Sequence, residues 1–266
     1  MSAPTVEVES RGAVAIVTIN RPDVSNTLNL QTAMDLLAAA MTCGRNSAVR
    51  AVVLTGAGRN FCFGGDLRGM LSKGKAADAY LRELTTYLHE AISHFARMDA
   101  PVIAAVNGTA AGAGVGLAAM ADLTLCGETS KFNLAYTAVG LTPDAGTSFL
   151  LPRVIGAKRA MELFLLNRSL TSAEALNWGL VNTVVADDQL MSEALKVADQ
   201  LATGAMRAFG RTKRLVLASL GALESQMVLE AETIAASAGS TEGLEGISAF
   251  LEKRKPSFNG GGGNAR

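Results

Sequence analysis

The sequence predicts an α/β fold, with helices layered over a mostly parallel sheet. Three observations carry that expectation. Short runs rich in Val and Ile, each the length of a strand and bounded by turn residues, recur along the first two thirds of the chain. Longer stretches with helical spacing of apolar residues lie between them, and such alternation is the pattern of parallel strands joined by helical crossovers. After residue 186 the strand pattern stops and only helical segments follow.

Taken in order, "AVAIVTI" (13–19) reads as a strand. Residues 29–42 read as a helix opened by Asn29, a good cap because its side chain accepts from an otherwise unpaired N–H. "RAVVLTG" (50–56) is the next strand. Residues 76–97 form a second helix, with Tyr80, Leu84, Tyr87, Leu88, Ala91 and Phe95 on one face. "PVIAAVN" (101–107), "DLTLC" (122–126) and "LVNTVV" (180–185) complete the strands. The helices that follow are too few to bury their apolar faces among themselves, so they are expected to pack on the core or on another subunit. The expected organisation is a core over 1–186, a helical region over 187–258 and a disordered Gly-rich tail over 259–266.

A chain of 266 residues, 49% of them apolar, can bury one large core. Lys plus Arg and Asp plus Glu stand at 24 each, so no charge excess draws the protein to nucleic acid or to an anionic membrane. A phosphate-bearing ligand must then be held by a few placed groups. Cys43, Cys62 and Cys126 are odd in number and widely spaced, with no CxxC and no His cluster, which argues against a disulfide framework or a zinc site. A reduced, cytoplasmic location fits, and "MSAPTVEVES" lacks the pattern of a signal peptide. The weakly apolar stretch 101–121 is broken by Asn107 and four glycines, so it reads as strand, turn and helix rather than a membrane span.

Two glycine turns carry potential chemistry. In "GAGRNFCFGGDL" (56–67), Gly64 and Gly65 let backbone N–H groups approach a ligand closely. In "NGTAAGAGVGLAAMAD" (107–122), small residues sit where a strand turns into a helix, whose first N–H groups are unpaired and dipole-assisted. Two such donors converging on one oxygen suit a carbonyl that gains negative charge. Tight packing is the alternative use of both turns, and neither matches a phosphate-binding loop. The stretch "VGLTPDAGTSFLLPR" (139–153) adds one carboxylate, Asp144. It is either a helix-start residue, with Thr142 as cap and Pro143 at the first position, or a catalytic acid.

From "VAIVTINRPDVSNTLN" to "FLEKRKPSF" these segments jointly resemble the enoyl-CoA hydratase/isomerase (crotonase) superfamily. The resemblance implies a crotonase-like spiral core of repeated ββα units with a C-terminal all-helical trimerisation region, assembled as a homotrimer or dimer of trimers. It implies an acyl-CoA thioester as substrate, without a metal or redox cofactor. The oxyanion hole is implied to be the N–H groups of Gly65 and Ala113, flanked by Gly64 and Gly112. Val24, Asn26, Leu28, Asp66 and Leu67 are implied to line the CoA entrance, and Phe250 and Lys253 to reach toward the adenine and phosphates.

The departures from the family pattern bear on the chemistry. The two glutamates with which hydratases activate water fall on Gly116 and Tyr136, and neither can act as a carboxylate base. Asp144 is the acid left at the centre. "GLTPDAGTS" resembles enoyl-CoA isomerases, including those of phenylacetate breakdown, and 4-halobenzoyl-CoA dehalogenases. As an isomerase, the protein would use Asp144 as acid and base on an enolate held by the oxyanion hole. As a dehalogenase, it would use Asp144 as nucleophile and His89 to activate water, with Tyr136 where that subgroup has Trp. Otherwise His89 is a helix-surface residue and Tyr136 a core aromatic. An enoyl-CoA hydratase and a non-catalytic crotonase-fold binding protein are the further alternatives. The isomerase reading, in fatty acid or aromatic acid catabolism, agrees best with the motifs.

Overall fold

The computed structural model describes residues 4–219 and 221–258, so the tail expected to be disordered, 259–266, lies outside the described residues. Among the described residues, nine strands and eleven α-helices follow one another, with short 3-10 turns between some of them. They begin with β1 (Val6–Arg11), β2 (Val14–Ile19), α1 (Leu30–Arg45), β3 (Ala51–Gly56), α2 (Leu67–Leu71), α3 (Ala77–Arg97), β4 (Val102–Val106) and β5 (Thr109–Ala111). Next come α4 (Ala113–Ala119), β6 (Leu123–Gly127), β7 (Lys131–Asn133), α5 (Thr147–Val154), α6 (Ala157–Leu166), β8 (Leu170–Thr171), α7 (Ser172–Trp178) and β9 (Thr183–Val185). Four helices close the chain: α8 (Leu190–Ala202), α9 (Met206–Ser219), α10 (Leu223–Gly239) and α11 (Thr241–Leu251).

Six strands form one sheet in the order β1-β2-β3-β4-β6-β9. β1 pairs antiparallel to β2, and every other neighbour is parallel. All residues of β3 and β4 are buried, which is why they read as unbroken apolar runs rather than alternating ones. Their side chains nonetheless divide by parity between two faces. Ala51, Val53, Ile103 and Ala105 meet Leu190, Ala194, Ala198 and Ala202 of α8. Val52, Leu54, Ala104 and Val106 join the larger cluster that also holds Leu36 of α1 and Leu84, Leu88 and Phe95 of α3. The helices after residue 186 therefore pack on the core, as their apolar faces require.

A smaller sheet, in the order β5-β7-β8, stands beside the first. Its strands are two or three residues long, too short for a periodicity to register. β1 also escapes a reading by pattern, because five of its six residues are exposed. The expected strand 180–185 begins only at Thr183; Leu180 and Val181 are buried in the turn after α7. Asn29 does cap α1, its side chain accepting from Thr32 N–H at 2.9 Å. No helix among the described residues is long and apolar enough to cross a membrane.

Candidate active site

The segment 61–65 runs between β5 and the stretch around Leu28. Cys62 N–H donates to Thr109 O at 3.3 Å, and Ala111 N–H donates to Cys62 O at 2.8 Å. On the other side, Leu28 N–H donates to Gly64 O and Asp66 N–H to Leu28 O. Gly65 N–H lies between these bonds without an acceptor among the described residues. Opposite it, Gly112 turns with φ +51 and Ala113 begins α4, so its N–H is one of the unpaired first donors of that helix. The two turns touch backbone to backbone: at Gly64, with φ +78, a Cβ would stand 2.8 Å from Ala111 O and 3.2 Å from Ala113 N. Only glycine permits that approach.

Gly65 and Ala113 line one cavity of about 740 Å³. Leu81, Leu84, Leu88 and Leu134, all buried, make part of its apolar wall. Val24, Leu28, Asp66, Leu67, Gly112, Tyr136 and Phe250 also line it. Four expected site residues do not, one of them His89, which lies behind the cavity wall. Asn26 is fully buried, with its side chain accepting from Arg21 N–H and donating to Ala57 O and Asn60 O, so it braces the loops behind the entrance. Gly64 serves the contact between the turns. Lys253 lies past the end of α11, exposed and with φ +56, outside the cavity lining. Two cations that the sequence did not single out, Arg68 and Lys131, do line the cavity. Asp66 also caps α2 through Gly69 N–H and pairs with Arg21 at 3.3 Å.

Asp144 is not a helix-start residue. α5 opens three residues later, and Thr142 caps nothing: its hydroxyl is buried without a partner. Asp144 sits instead in an irregular turn whose next residues, Ala145 at φ +59 and Gly146 at φ +75, are left-handed. For Ala145 that conformation costs roughly 1–2 kcal/mol, so the surroundings must hold it. Asp144 O accepts from Thr147 N–H, from the Thr147 hydroxyl at 2.8 Å and from the Tyr136 hydroxyl at 3.1 Å. Glu230, reaching across from α10, accepts from Gly146 N–H at 2.6 Å and from Ser148 N–H at 2.9 Å.

The Asp144 side chain lines the cavity, and its Oδ1 lies 2.7 Å from Nε2 of His89. Its Oδ2 has no hydrogen-bond partner among the described residues and is not one of the fully buried unpaired atoms. His89, on α3, is buried rather than on the helix surface. Burial disfavours its charged form, but the charge and hydrogen bond of Asp144, with Glu230 and Glu90, outweigh it and raise the His89 pKa. Glu230 completes the cluster: a ring nitrogen of His89 and a carboxylate oxygen each of Asp144 and Glu230 all lie within 4.8 Å of one another. Burial, then the Asp144 charge, pushes Glu230 up to about 7 against the Gly146 and Ser148 donors, which favour the ionised form. A lone Glu in a terminal helix gave no sequence signal for this role.

Gly116 is what lets the Asp144 turn sit here. A Cβ at that position would run into the Ala145 carbonyl oxygen and lie 2.9 Å from Ala145 Cβ.

A mixed α/β core closed by terminal helices, with two backbone turns and one buried acid on a shared cavity, has the architecture of a crotonase-type enzyme. The chain belongs to the enoyl-CoA hydratase/isomerase family, whose sequence model matches residues 9–261. A 1,2-epoxyphenylacetyl-CoA isomerase of Escherichia coli K12 is 37% identical over 93% of this chain and 95% of its own length. A probable enoyl-CoA hydratase of Rhodobacter capsulatus is 39% identical over 98% of this chain and all of its own. A 4-chlorobenzoyl coenzyme A dehalogenase of an Arthrobacter species is 34% identical over 93% of this chain and 91% of its own. Among solved structures, an enoyl-CoA hydratase of Mycobacterium avium subsp. paratuberculosis superposes with a TM-score of 0.87 at 33% identity, covering 96% of this chain and 98% of that one.

Two tests follow from the packing and the charges. Gly116→Ala should lower the unfolding free energy by about 1–3 kcal/mol, because neighbouring backbone must yield to the added methyl; thermal denaturation checks it, and an unchanged melting temperature would overturn the packing argument. The second concerns pH. Glu230 and His89 both have folded pKa values above their ordinary ones, so in the window from 4.5 through about 7 the folded state binds more protons and loses stability as pH rises. Urea unfolding from about pH 5 to about pH 8 should show that fall, with a shallower slope in Glu230→Gln. An equal slope in the two proteins would remove Glu230 from the linkage.

Proposed function

We propose that the protein is an enoyl-CoA isomerase. The observation that carries this reading is the free Oδ2 of Asp144, on a carboxylate that shares an apolar cavity with the N–H groups of Gly65 and Ala113. The other carboxylates on the cavity are Asp23, which is exposed, and Asp66, which is engaged by Arg21 and Gly69. The substrate is an acyl-CoA thioester, in keeping with the family, and no redox cofactor or metal takes part. With the thioester oxygen on the two N–H groups, Oδ2 takes the proton from the carbon next to the carbonyl, and the two donors stabilise the enolate. The same carboxyl returns the proton two carbons further on, which moves the double bond into conjugation. His89 holds Oδ1, so Oδ2 is the oxygen turned to substrate. Arg68 and Lys131 are the cations we assign to the CoA phosphates.

One observation favours a second reading. His89 in contact with Asp144 is also the arrangement expected of an aryl-CoA dehalogenase, in which the carboxylate attacks the ring and the imidazole then activates water. Hydration is the weaker alternative, since Gly116 and Tyr136 offer no carboxylate pair.

We assign a homotrimeric assembly, or a dimer of trimers, to the apolar side chains left exposed on α9 and α10, among them Leu215, Val216, Val228 and Leu229. Light scattering should give a multiple of three chains; a monomer would refute the assembly. Asp144→Asn keeps the shape and the hydrogen bond to His89 but cannot take a proton, so isomerisation of 3-enoyl-CoA should fall roughly 10³-fold while folding and CoA affinity persist. Turnover near that of the wild type would exclude Asp144 as the base, and halide release from 4-halobenzoyl-CoA without isomerisation would make the dehalogenase reading correct.

A further inference from the structure

Asn26 is fully buried and does not line the cavity, yet its amide is spent entirely on backbone groups of two loops. Oδ1 accepts from Arg21 N–H at 2.8 Å, and Nδ2 donates to Ala57 O at 2.9 Å and to Asn60 O at 2.6 Å. Both amide hydrogens are thereby used. The partners also fix which way the amide points, since a flipped one would set N–H against N–H and oxygen against two carbonyls. Gly56 makes room for it: a Cβ there would stand 2.7 Å from Nδ2. The backbone at Asn26 needs such support. Ser25 and Asn26 are consecutive left-handed residues, with φ +55 and +56, a conformation that non-glycine residues keep only where the surroundings hold it.

From Asn26 the bonding runs to both donor turns of the cavity. Two residues on, Leu28 N–H donates to Gly64 O at 2.7 Å and Leu28 O accepts from Asp66 N–H at 2.9 Å, so Gly65 N–H is aimed by the chain at Leu28. On the other side, Asn60, whose carbonyl Nδ2 holds, accepts Thr109 N–H on its own Oδ1 at 3.3 Å. Thr109 opens β5, which leads into Gly112 and Ala113. We propose that Asn26 is a positioning residue for the isomerisation: its buried amide, acting through Leu28 and Asn60, fixes the separation and aim of the Gly65 and Ala113 N–H groups. The proposal rests on the isomerase reading for its effect on rate, and on the two donor turns for its effect on a bound thioester. Donors in an oxyanion hole must be in place before the charge develops, and a misplacement of about 1 Å costs roughly 10²-fold in rate. Local structure does not supply that accuracy here. Gly65 lies outside any helix or strand, and Gly112, just before Ala113, has φ +51. One amide that bridges the supporting loops supplies it instead.

The test reads the donors with and without turnover. A saturated acyl-CoA, labelled with ¹³C at the thioester carbonyl, cannot isomerise, and infrared difference spectra of its complex report hydrogen bonds to that oxygen as a downward shift of the carbonyl stretch. Wild type should show the shift. Asn26→Gly, which leaves the left-handed backbone unstrained and removes the amide, should lose half of it or more. Affinity for the saturated acyl-CoA should stay within about threefold while kcat on 3-enoyl-CoA falls roughly 10- to 10²-fold, because the donors matter most once the oxygen is charged. Asn60→Ala cuts the tie to Thr109 and should move both readouts in the same direction; its side chain is half-buried, so it decides the matter if Asn26→Gly does not fold. A wild-type carbonyl left unshifted by binding, or a shift in either folded variant equal to that of wild type, overturns the proposal even where kcat falls. A loss of shift with kcat unchanged upholds the positioning and refutes the enolate mechanism. Should wild type fail to isomerise 3-enoyl-CoA, the isomerase reading falls alone, and the carbonyl shift still judges Asn26.

Discussion

One hydrogen bond, from His89 to Asp144, ties together parts of the chain that share no local sequence. α3 supplies the imidazole, the turn before α5 supplies the carboxylate, and α10 supplies Glu230, which fixes the turn from behind. All three groups are buried, and buried polar clusters stabilise a fold only when their members are satisfied. The packing of α10 on α3 thus does more than cover an apolar face. It brings Glu230 of α10 against the turn that carries Asp144, so the region after residue 186 supports the candidate site as well as the core.

The second constraint is steric. At Gly116, where the family resemblance implies a glutamate in hydratases, the space a side chain would fill is taken by the Ala145 carbonyl. In this packing the two solutions exclude each other: either a carboxylate projects from α4, or the turn carrying Asp144 closes over that helix. A similar exchange of side chain for backbone occurs at Gly64, where the two donor turns meet. The site is defined as much by where Cβ atoms are absent as by the groups that are present.

The sequence was most legible where a pattern had length. β2, β3, β4, β6 and the two long helices α1 and α3 were readable because runs of β-branched residues or a helical stripe extended over several residues. The short strands of the second sheet and the exposed β1 carried no such pattern. Gly65, Ala113 and Asp144 were readable from motif resemblance, and their convergence on one cavity came from the fold. Asn26, by contrast, is implied by the family resemblance to line the entrance, while its amide is consumed by backbone groups some thirty residues away. The partnership of His89 with Asp144 spans 55 positions and that of Glu230 with Gly146 spans 84. Spacing along a chain does not report contacts at those separations; only the folded topology does.

Cys62 lies in the segment that links the two donor turns, with its sulfur accepting from Gly64 N–H at 3.4 Å. The product of the proposed reaction, a conjugated enoyl thioester, is an electrophile to which thiolates add. A thiol so near that cavity would be a self-inflicted target if it ionised, since the thiolate is the nucleophile. Burial prevents this, pushing the Cys62 pKa up to about 12 despite the Gly64 hydrogen bond that lowers it. Cys43 and Cys126 are buried as well, with pKa values raised to about 11 and about 12. With that product the molecule would still tolerate its three cysteines, because burial keeps each thiol protonated.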